Sequence, residues 1–239
     1  MKHEFYFTYK RLKLNFEEAL KNNYKIITCK DYIHWKQNKT NEYILVNRVD
    51  IDLKCEKAKI IADIFNSLNI KATFFIRLHA SEYNPFSFEN YLCLKYIKET
   101  GHEIAYHSEI IDQSVIWNET PEDCLRRDIR ILNEMLGIKV VGVSSHGGLT
   151  GLNNLDFWKI NKPSDFDLHY EAYDQEPAFN LFNESFYISE SNYQWKCYKN
   201  GILKKNDKRS FSEHLKDNHP VIYSTMHTDT FFSEHIYES

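Results

Sequence analysis

The sequence predicts an α/β protein built on a parallel sheet, and three observations support that class. Short apolar runs typical of buried strands are followed, several times over, by segments of helical spacing. Such alternation is typical of parallel βαβ units. The length of 239 residues, at ~30 to 45 residues per unit, allows a barrel of about seven or eight strands or an open doubly wound sheet. No repeat or linker interrupts the chain, so we expect one domain over residues 1–239.

The first half of the chain contains three predicted strands and two predicted helices. The strands are the apolar runs at residues 43–49, 72–76 and 103–106. One helix lies between the first two strands, where apolar residues recur at helical spacing from Ala58 to Leu68. In the second helix, Ser87 is the predicted N-cap and Gly101 the residue that follows its end.

The second half contains one strongly marked helix and two further strands. Thr120 is a capping residue followed by Pro121, an arrangement typical of a helix start, and the helix should stop at Gly137. The predicted strands are residues 139–144 and 221–226, the latter preceded by a short helix around residues 212–216. Residues 147–185 lack periodicity, so we interpret them as a long active-site loop region.

Composition excludes several classes of function. The net charge is −4 and no basic block occurs, which argues against nucleic acid and against a polybasic membrane patch. The five cysteines form no Cys-x-x-Cys pair, so neither a disulfide framework nor a zinc knuckle is expected. No signal peptide or apolar run of ~18 residues is visible. We therefore expect a cytoplasmic protein with no membrane span.

Polar side chains collect at the ends of the predicted strands. Asp50 and Asp52 close the first strand, and His107, His146 and His227 each follow a later one. The carboxyl ends of parallel strands share one face, where active sites lie. Two carboxylates spaced by two residues point the same way on a strand and should not both be ionised without a cation. The pattern therefore indicates a metal-dependent hydrolase.

Each of these residues also has a purely structural interpretation. An aspartate at a strand end is often a turn or helix cap, and a lone histidine such as His227 is often a satisfied structural residue. It is the placement of all five at strand exits that favours a site. His102 lies five residues before His107, so the two face opposite sides of a strand and His102 is interpreted as structural. Glu109, two residues beyond His107, could face the same cavity.

Three segments resemble motifs of the polysaccharide deacetylase superfamily, which is the carbohydrate esterase family 4-like or chitooligosaccharide deacetylase homology domain. Val49 to Leu53 resembles its Asp-Asp motif in a spaced Asp-x-Asp form. Asn69 to Phe75 resembles the Thr-Phe-Phe strand that follows, and Gly101 to Ser108 is similar to the Gly-His-Glu-Ile-x-x-His segment. The resemblance runs from about Thr8 to Phe232 and is closest to cytoplasmic members associated with bacterial surface-polysaccharide synthesis.

The resemblance implies a distorted or incomplete (β/α) barrel of about seven strands with a divalent metal, usually zinc. By position in the motifs, Asp50 would be the general base, Asp52 and His107 metal ligands, and His227 the general acid. The implied reaction removes an N-acetyl group from an amino sugar or glycan precursor, such as a nucleotide- or lipid-linked intermediate.

The sequence departs from the family pattern at two places. Ile111 stands where the family has a second ligand histidine, and the Arg-Pro-Pro-Tyr-Gly motif, whose arginine orients the base, is replaced by a segment containing His146. We predict His146 as the third metal ligand, because the two glycines after it let the backbone turn sharply. Glu109 is a rival ligand, and His146 could instead orient Asp50 or only pack. Arg77 is a candidate partner of Asp50 or else a solvated surface residue.

Two other functions stay open on the sequence. One is a sugar-binding pseudoenzyme that kept the pocket and lost activity with the missing motifs. The other is a hydrolase of the same superfamily that acts on another small C–N amide. Retention of the two aspartates and of His107 and His227 favours the deacetylase.

Overall fold

A sheet of ten strands organises the part of the chain that is described. The structure is a computed structural model and describes residues 5–38, 40–191, 193–207 and 209–238. The strands are β1 (Tyr24–Ile27), β2 (Tyr43–Ile51), β3 (Thr73–Ile76), β4 (Glu103–Ser108), β5 (Gly142–Ser145), β6 (Tyr170–Glu171), β7 (Phe186–Ser191), β8 (Gln194–Lys199), β9 (Ile202–Leu203) and β10 (Val221–His227).

Helices connect most of these strands. They are α1 (Tyr9–Lys21), α2 (Cys29–Gln37), α3 (Cys55–Ser67), α4 (Phe88–Glu99), α5 (Ile110–Trp117), α6 (Pro121–Leu136), α7 (Leu181–Glu184) and α8 (Phe211–Leu215). Short 3₁₀ helices lie at Asn154–Lys159, Pro163–Phe166 and Thr228–Thr230. None of the described helices is both long enough and apolar enough to cross a membrane.

The strand order is β6-β5-β4-β3-β2-β10-β7-β8-β9, with β1 paired to the start of β2. From β6 to β7 the seven neighbouring strands all run parallel, whereas β8 and β9 are antiparallel additions at one edge. The sheet is not closed, since β6 and β9 are its two edges. This confirms the predicted α/β class, a distorted (β/α) barrel whose sheet stays open.

Both faces of β2 are buried, which explains the unbroken apolar run from Ile44 to Val46 near its start. Leu45, Val49 and Ile51 pack in the core under the helices. Ile44 and Val46 face the other way, into a second cluster inside the curve of the sheet. Side chains alternate along a strand, so the residues that follow on this inner face are Arg48, Asp50 and Asp52. The inner face of β2 is thus apolar at its start and charged at its carboxyl end.

Local capping signals positioned two helices as predicted. Ser87 caps α4, and Gly101 follows that helix with φ +85°. Thr120 caps α6 through its hydroxyl, which accepts from the Asp123 N–H, and Gly137 ends the helix at φ +59°. Positive φ suits glycine because it has no Cβ.

Residues 147–185 do not form one long loop. They contain two 3₁₀ helices, α7 and the two-residue strand β6, which extends the parallel sheet beyond β5. A strand of two residues is too short to show a period of two, so its sequence carried no signal. The elements α1, β1 and α2 before residue 43, and the β7–β9 segment, were likewise not predicted.

Candidate active site

The five residues predicted from the sequence lie at one end of the sheet. Asp50 is directly opposite His227 in the pairing of β2 with β10, and His107 pairs with Ser144 across β4 and β5. Potential ligand atoms of Asp52, His107 and His146 all lie within 4.8 Å of one another. The side chains of Asp50 and His107 are 2% and 4% exposed, whereas His146 and His227 are 26% and 25% exposed. The buried pair thus forms the floor of the site.

The ring of His107 is oriented by the backbone of the neighbouring strand. Its Nδ1 lies 2.9 Å from the carbonyl oxygen of Ser144, and a carbonyl only accepts, so Nδ1 carries the proton. In the neutral ring this leaves the Nε2 lone pair facing Asp52 Oδ1 at 3.3 Å and Asp50 Oδ2 at 3.5 Å. A histidine that donates through its other nitrogen to a carbonyl is typical of a metal ligand.

His146 is held at the rim by the backbone on both sides. Its N–H donates to the Ser108 carbonyl at 2.9 Å, and its own carbonyl accepts from the side chain of Asn154 at 3.2 Å. The chain then folds back tightly, since a Cβ on Gly148 would lie 1.7 Å from the Leu152 carbonyl oxygen. Glycine is therefore required there. The ring of His146 stands edge-on to the ring of His107, with their centroids 5.0 Å apart.

The donors of this cluster fit a divalent transition metal. Asp52 Oδ1 is buried and accepts no well-formed hydrogen bond from the described residues. Its 3.3 Å separation from His107 Nε2 is about the edge of a tetrahedron with bonds of ~2.0–2.1 Å, the length of zinc bonds to histidine and carboxylate. One carboxylate and two imidazoles are ligands that zinc prefers. An unsatisfied buried oxygen beside two histidines is the arrangement that a cation would complete.

Arg48 is the partner of Asp50. Its Nε and Nη2 donate to the two carboxylate oxygens of Asp50 at 2.8 and 2.7 Å, and Nη2 also donates to the Ser144 hydroxyl at 2.5 Å. The guanidinium is 1% exposed and lies between the rings of Phe75 and Tyr173, 4.8 and 5.0 Å from their centroids. Burial alone would raise the pKa of Asp50, but Arg48 outweighs it, and the pKa is lowered.

The candidate assignment of Arg77 to Asp50 was wrong. Arg77 donates from Nη1 to the backbone carbonyl of Asp52 at 3.0 Å and from Nη2 to Glu109 at 2.8 Å. It does not contact the Asp50 carboxylate, and it is not a solvated surface residue, because its side chain is 11% exposed. The same contact occupies Glu109, whose Oε1 also lies 3.3 Å from His146 Nδ1. Of the described residues, His146 and not Glu109 joins Asp52 and His107 in the ligand cluster.

His227 is paired with a buried glutamate. Glu190, which is fully buried on β7, accepts from the His227 backbone N–H at 2.6 Å and from its Nδ1 at 2.7 Å. The Thr230 hydroxyl donates to the other oxygen of Glu190 at 2.7 Å. Burial lowers the pKa of His227, but the hydrogen bond and charge of Glu190 outweigh it and raise the pKa to about 10. His227 Nε2 faces the site, 3.9 Å from Asp50 Oδ2.

Sequence reasoning missed Arg48 and Glu190 for different reasons. Arg48 lies two residues before Asp50, so the alternation that grouped Asp50 with Asp52 also places Arg48 on their face. That signal was available. Glu190 reaches His227 only because β7 pairs with β10, and no local pattern reports that pairing.

Comparison with known proteins finds similarity to solved structures. No family model and no curated protein matches the chain. Among solved structures, it is similar to a mutant of BA3943, a CE4 family pseudoenzyme with restored enzymatic activity, at TM-score 0.49 and 16% identity over 80% of this chain and 59% of that one. It is also similar to Streptococcus pyogenes deacetylase PplD in complex with acetate, at TM-score 0.42 and 11% identity over 57% and 61%. The matches thus span about three fifths of each of those chains.

Proposed function

We propose that the protein is a metal-dependent hydrolase that removes an N-acetyl group from an amino sugar or glycan precursor. One observation carries the proposal. The Asp50 carboxylate, which is paired with Arg48, and His227, which is paired with Glu190, face each other beside the cluster of Asp52, His107 and His146. A base, an acid and a set of metal ligands that converge on one point are what hydrolysis of an unreactive amide requires.

In this proposal Asp52, His107 and His146 hold the metal, with zinc the expected ion. When bound, the metal supplies a Lewis acid that makes water more acidic and polarises the amide carbonyl. Asp52 contributes a negative charge, since a carboxylate must be deprotonated to serve as a ligand.

Asp50 is the proposed base. Its Oδ1 is turned toward Arg48 Nε, while Oδ2 also lies 3.5 Å from His107 Nε2 and so borders the cluster. The fork of Arg48 fixes the plane of the carboxylate, so Oδ2 is presented to an attacking water without a search among rotamers. The lowered pKa keeps Asp50 ionised and ready to accept a proton.

His227 is the proposed acid. Glu190 fixes the proton on Nδ1 and stabilises the imidazolium, so Nε2 also carries a proton, and it points into the site. The departing amine of an amide must be protonated to leave, and Nε2–H is the group placed to do so. Base and acid lie on adjacent strands in register, which keeps their separation constant.

The substrate class comes from the resemblance of the Asp-x-Asp and Gly-His-Glu-Ile-x-x-His segments to deacetylase motifs. Those motifs belong to a superfamily that acts on N-acetylated sugars. The predicted cytoplasmic location favours a biosynthetic intermediate, nucleotide- or lipid-linked, over an extracellular polymer. Cleavage would yield acetate and the free amino sugar.

The test combines metal analysis with a substrate screen. Purified protein is incubated with N-acetylated nucleotide sugars, and mass spectrometry follows loss of the acetyl group before and after chelation. We expect turnover only with metal. Asp52→Ala should lose the metal ion held with His107 and His146, whereas Asp50→Asn should retain that ion with a rate reduced by ~10²–10⁴. Full activity after chelation would refute the proposal. Metal bound at the candidate active site without hydrolysis of any acylated sugar would instead favour a sugar-binding pseudoenzyme. Turnover of other small amides would favour a hydrolase of a different C–N amide.

A further inference from the structure

A second group of metal-ligating side chains lies apart from the candidate active site and shares no residue with it. Cys197 lies on β8, Asp207 follows β9, and His214 lies on α8. Their potential ligand atoms are all within 4.8 Å of one another. Cys197 and His214 are 2% and 1% exposed. Asp207 lies in the loop between β9 and α8, so the cluster depends on how the β8–β9 hairpin packs against α8.

His214 is the feature that calls for a ligand. Both of its ring nitrogens are buried, and neither has a hydrogen-bond partner among the described residues. Asp207 Oδ1 lies 3.5 Å from Nε2, beyond an ordinary charged hydrogen bond of ~2.7–2.9 Å. Buried polar atoms are nearly always paired, because leaving one unpaired costs free energy. The gap between His214, Asp207 and Cys197 is therefore unfavourable unless something fills it.

The surrounding charges suit a divalent cation. Arg209 donates to both oxygens of Asp207, at 3.1 and 2.7 Å, and to Asp217 at 2.7 Å. An outer-shell donor of this kind fixes a ligating carboxylate in place. A divalent ion with a thiolate and the Asp207 carboxylate would be neutral, and Arg209 with Asp217 would also be neutral. Without the ion, the two carboxylates share a single guanidinium.

His214 also belongs to a second possible group, with Asp217 and His219. A neutral imidazole has only one unprotonated nitrogen to offer a metal ion, so the two groups are alternatives. The side of Cys197 is favoured because Cys197 is buried and supplies a sulfur ligand, whereas the side chain of Asp217 is 36% exposed.

We propose that Cys197, Asp207 and His214 form a second metal site, for a divalent transition ion of the zinc type. Thiolate and imidazole ligands select zinc-like ions over magnesium or calcium, which prefer oxygen. Bound there, the ion would pin the β8–β9 hairpin to α8. The proposal is independent of the proposed function, because none of its ligands lies in the candidate active site.

Cobalt substitution tests the site directly. A cobalt(II) ion bound to a thiolate gives a near-ultraviolet charge-transfer band that nitrogen and oxygen ligands do not produce, so the candidate active site is silent in this measurement. The full chain is titrated with cobalt(II) alone. We expect the band to appear, to be lost in Cys197→Ser, and to persist in Cys124→Ser, which removes another buried thiol outside the cluster. Zinc added afterwards should abolish it.

Asp207→Asn provides a variant that keeps the thiol in case Cys197→Ser does not fold. It should weaken cobalt binding, read from the same band, by more than about 10-fold, the lower range of what even outer-shell partners cost. No band in the wild-type chain would overturn the proposal. A band that survives Cys197→Ser, or one whose cobalt affinity is unchanged by Asp207→Asn, would also overturn it.

Discussion

Arg48 and Asp50 lie two residues apart on β2, and the guanidinium of Arg48 grips both oxygens of the Asp50 carboxylate at 2.8 and 2.7 Å. Both side chains are almost fully buried, at 1% and 2% exposure. The arginine that the resembled family takes from another motif is thus supplied here from the same strand as Asp50, the proposed base. Because Arg48 and Asp50 lie on the same strand, their separation is fixed by the strand backbone. The orientation of Asp50 therefore depends on β2 and on the residues that pack against it.

Arg48→Lys should lower activity and move its pH dependence. Lysine keeps the charge but cannot form the fork, so Asp50 loses its fixed plane and part of the interaction that lowers its pKa. We expect kcat/KM to fall by about 10²-fold, the scale of a misplaced catalytic group, and the acid limb of the pH profile to move to higher pH. Arg77→Lys is the matched control and should leave the acid limb in place, since Arg77 does not contact the Asp50 carboxylate. Equal shifts in both variants would contradict the assignment.

His146→Ala should weaken metal binding. If His146 is the third ligand, its loss should cost about 100-fold or more in affinity, exceeding the effect of an outer-shell partner. Competition against a chromophoric chelator measures this without any substrate. Glu109→Gln is the comparison, because Glu109 contacts both His146 and Arg77, and we expect it to bind metal nearly as well as the wild type. Unchanged affinity in His146→Ala would leave His146 as a packing or orienting residue.

Glu190→Gln should shift the alkaline limb of the pH–rate profile. Glu190 raises the pKa of His227 to about 10, and the acid works only while His227 is protonated. Removing the negative charge lowers that pKa, so the alkaline limb should move to lower pH by about one unit or more. Thr230→Val removes one hydrogen bond to Glu190 but keeps its charge, and should move the limb much less. If Glu190→Gln changed only the overall rate, His227 would not be the titrating acid.

His102 should make folding stability depend on pH well away from the candidate site. Burial lowers the pKa of this histidine to about 4, from an ordinary value of 6.5. Protonation therefore favours the unfolded chain, and the contribution of His102 is present above pH 6.5 and lost as the pH falls toward 4. At pH 5 the loss in the free energy of unfolding from His102 amounts to about 2 kcal/mol.

Urea unfolding at pH 7 and pH 5 measures the effect. His102→Asn is the useful variant, because its side-chain oxygen can replace Nδ1 as acceptor for the Ala72 N–H while removing the titrating ring. Between the two pH values the free energy of unfolding should fall less in His102→Asn than in the wild type. The difference should be most of the ~2 kcal/mol attributed to His102. An equal drop in both proteins would assign the pH dependence to other groups.

Much of the fold could be predicted because its signals are local. Thr120 and Gly137 mark the two ends of α6 in the sequence itself. Strands β2 and β4, which position the aspartates and His107, are long enough to be recognised as strands from their sequence. The site followed from one rule, that parallel strands end on the same edge. The position of His146 at that edge needed only the prediction of β5.

The rest depended on contacts between residues distant in sequence. Glu190 contacts His227 across 37 positions of sequence, and neither segment alone predicts that β7 pairs with β10. Strand β6 has two residues and gains its stability from the edge of β5 rather than from its own sequence. Arg48 was overlooked although its spacing was informative, because a charged residue inside a buried strand was interpreted through its apolar neighbours.

The buried pair of Arg48 and Asp50 also constrains how this chain can evolve. Removing one partner leaves an unpaired charge in the interior, at a cost of about 3–5 kcal/mol, out of the ~5–15 kcal/mol that typically separates folded from unfolded protein. Selection for folding alone would therefore retain both residues, independently of any activity. Under the proposed function, a descendant without activity should lose His146 or His227 first, since they lie at the partly exposed rim, and should keep Asp50 for its structural role.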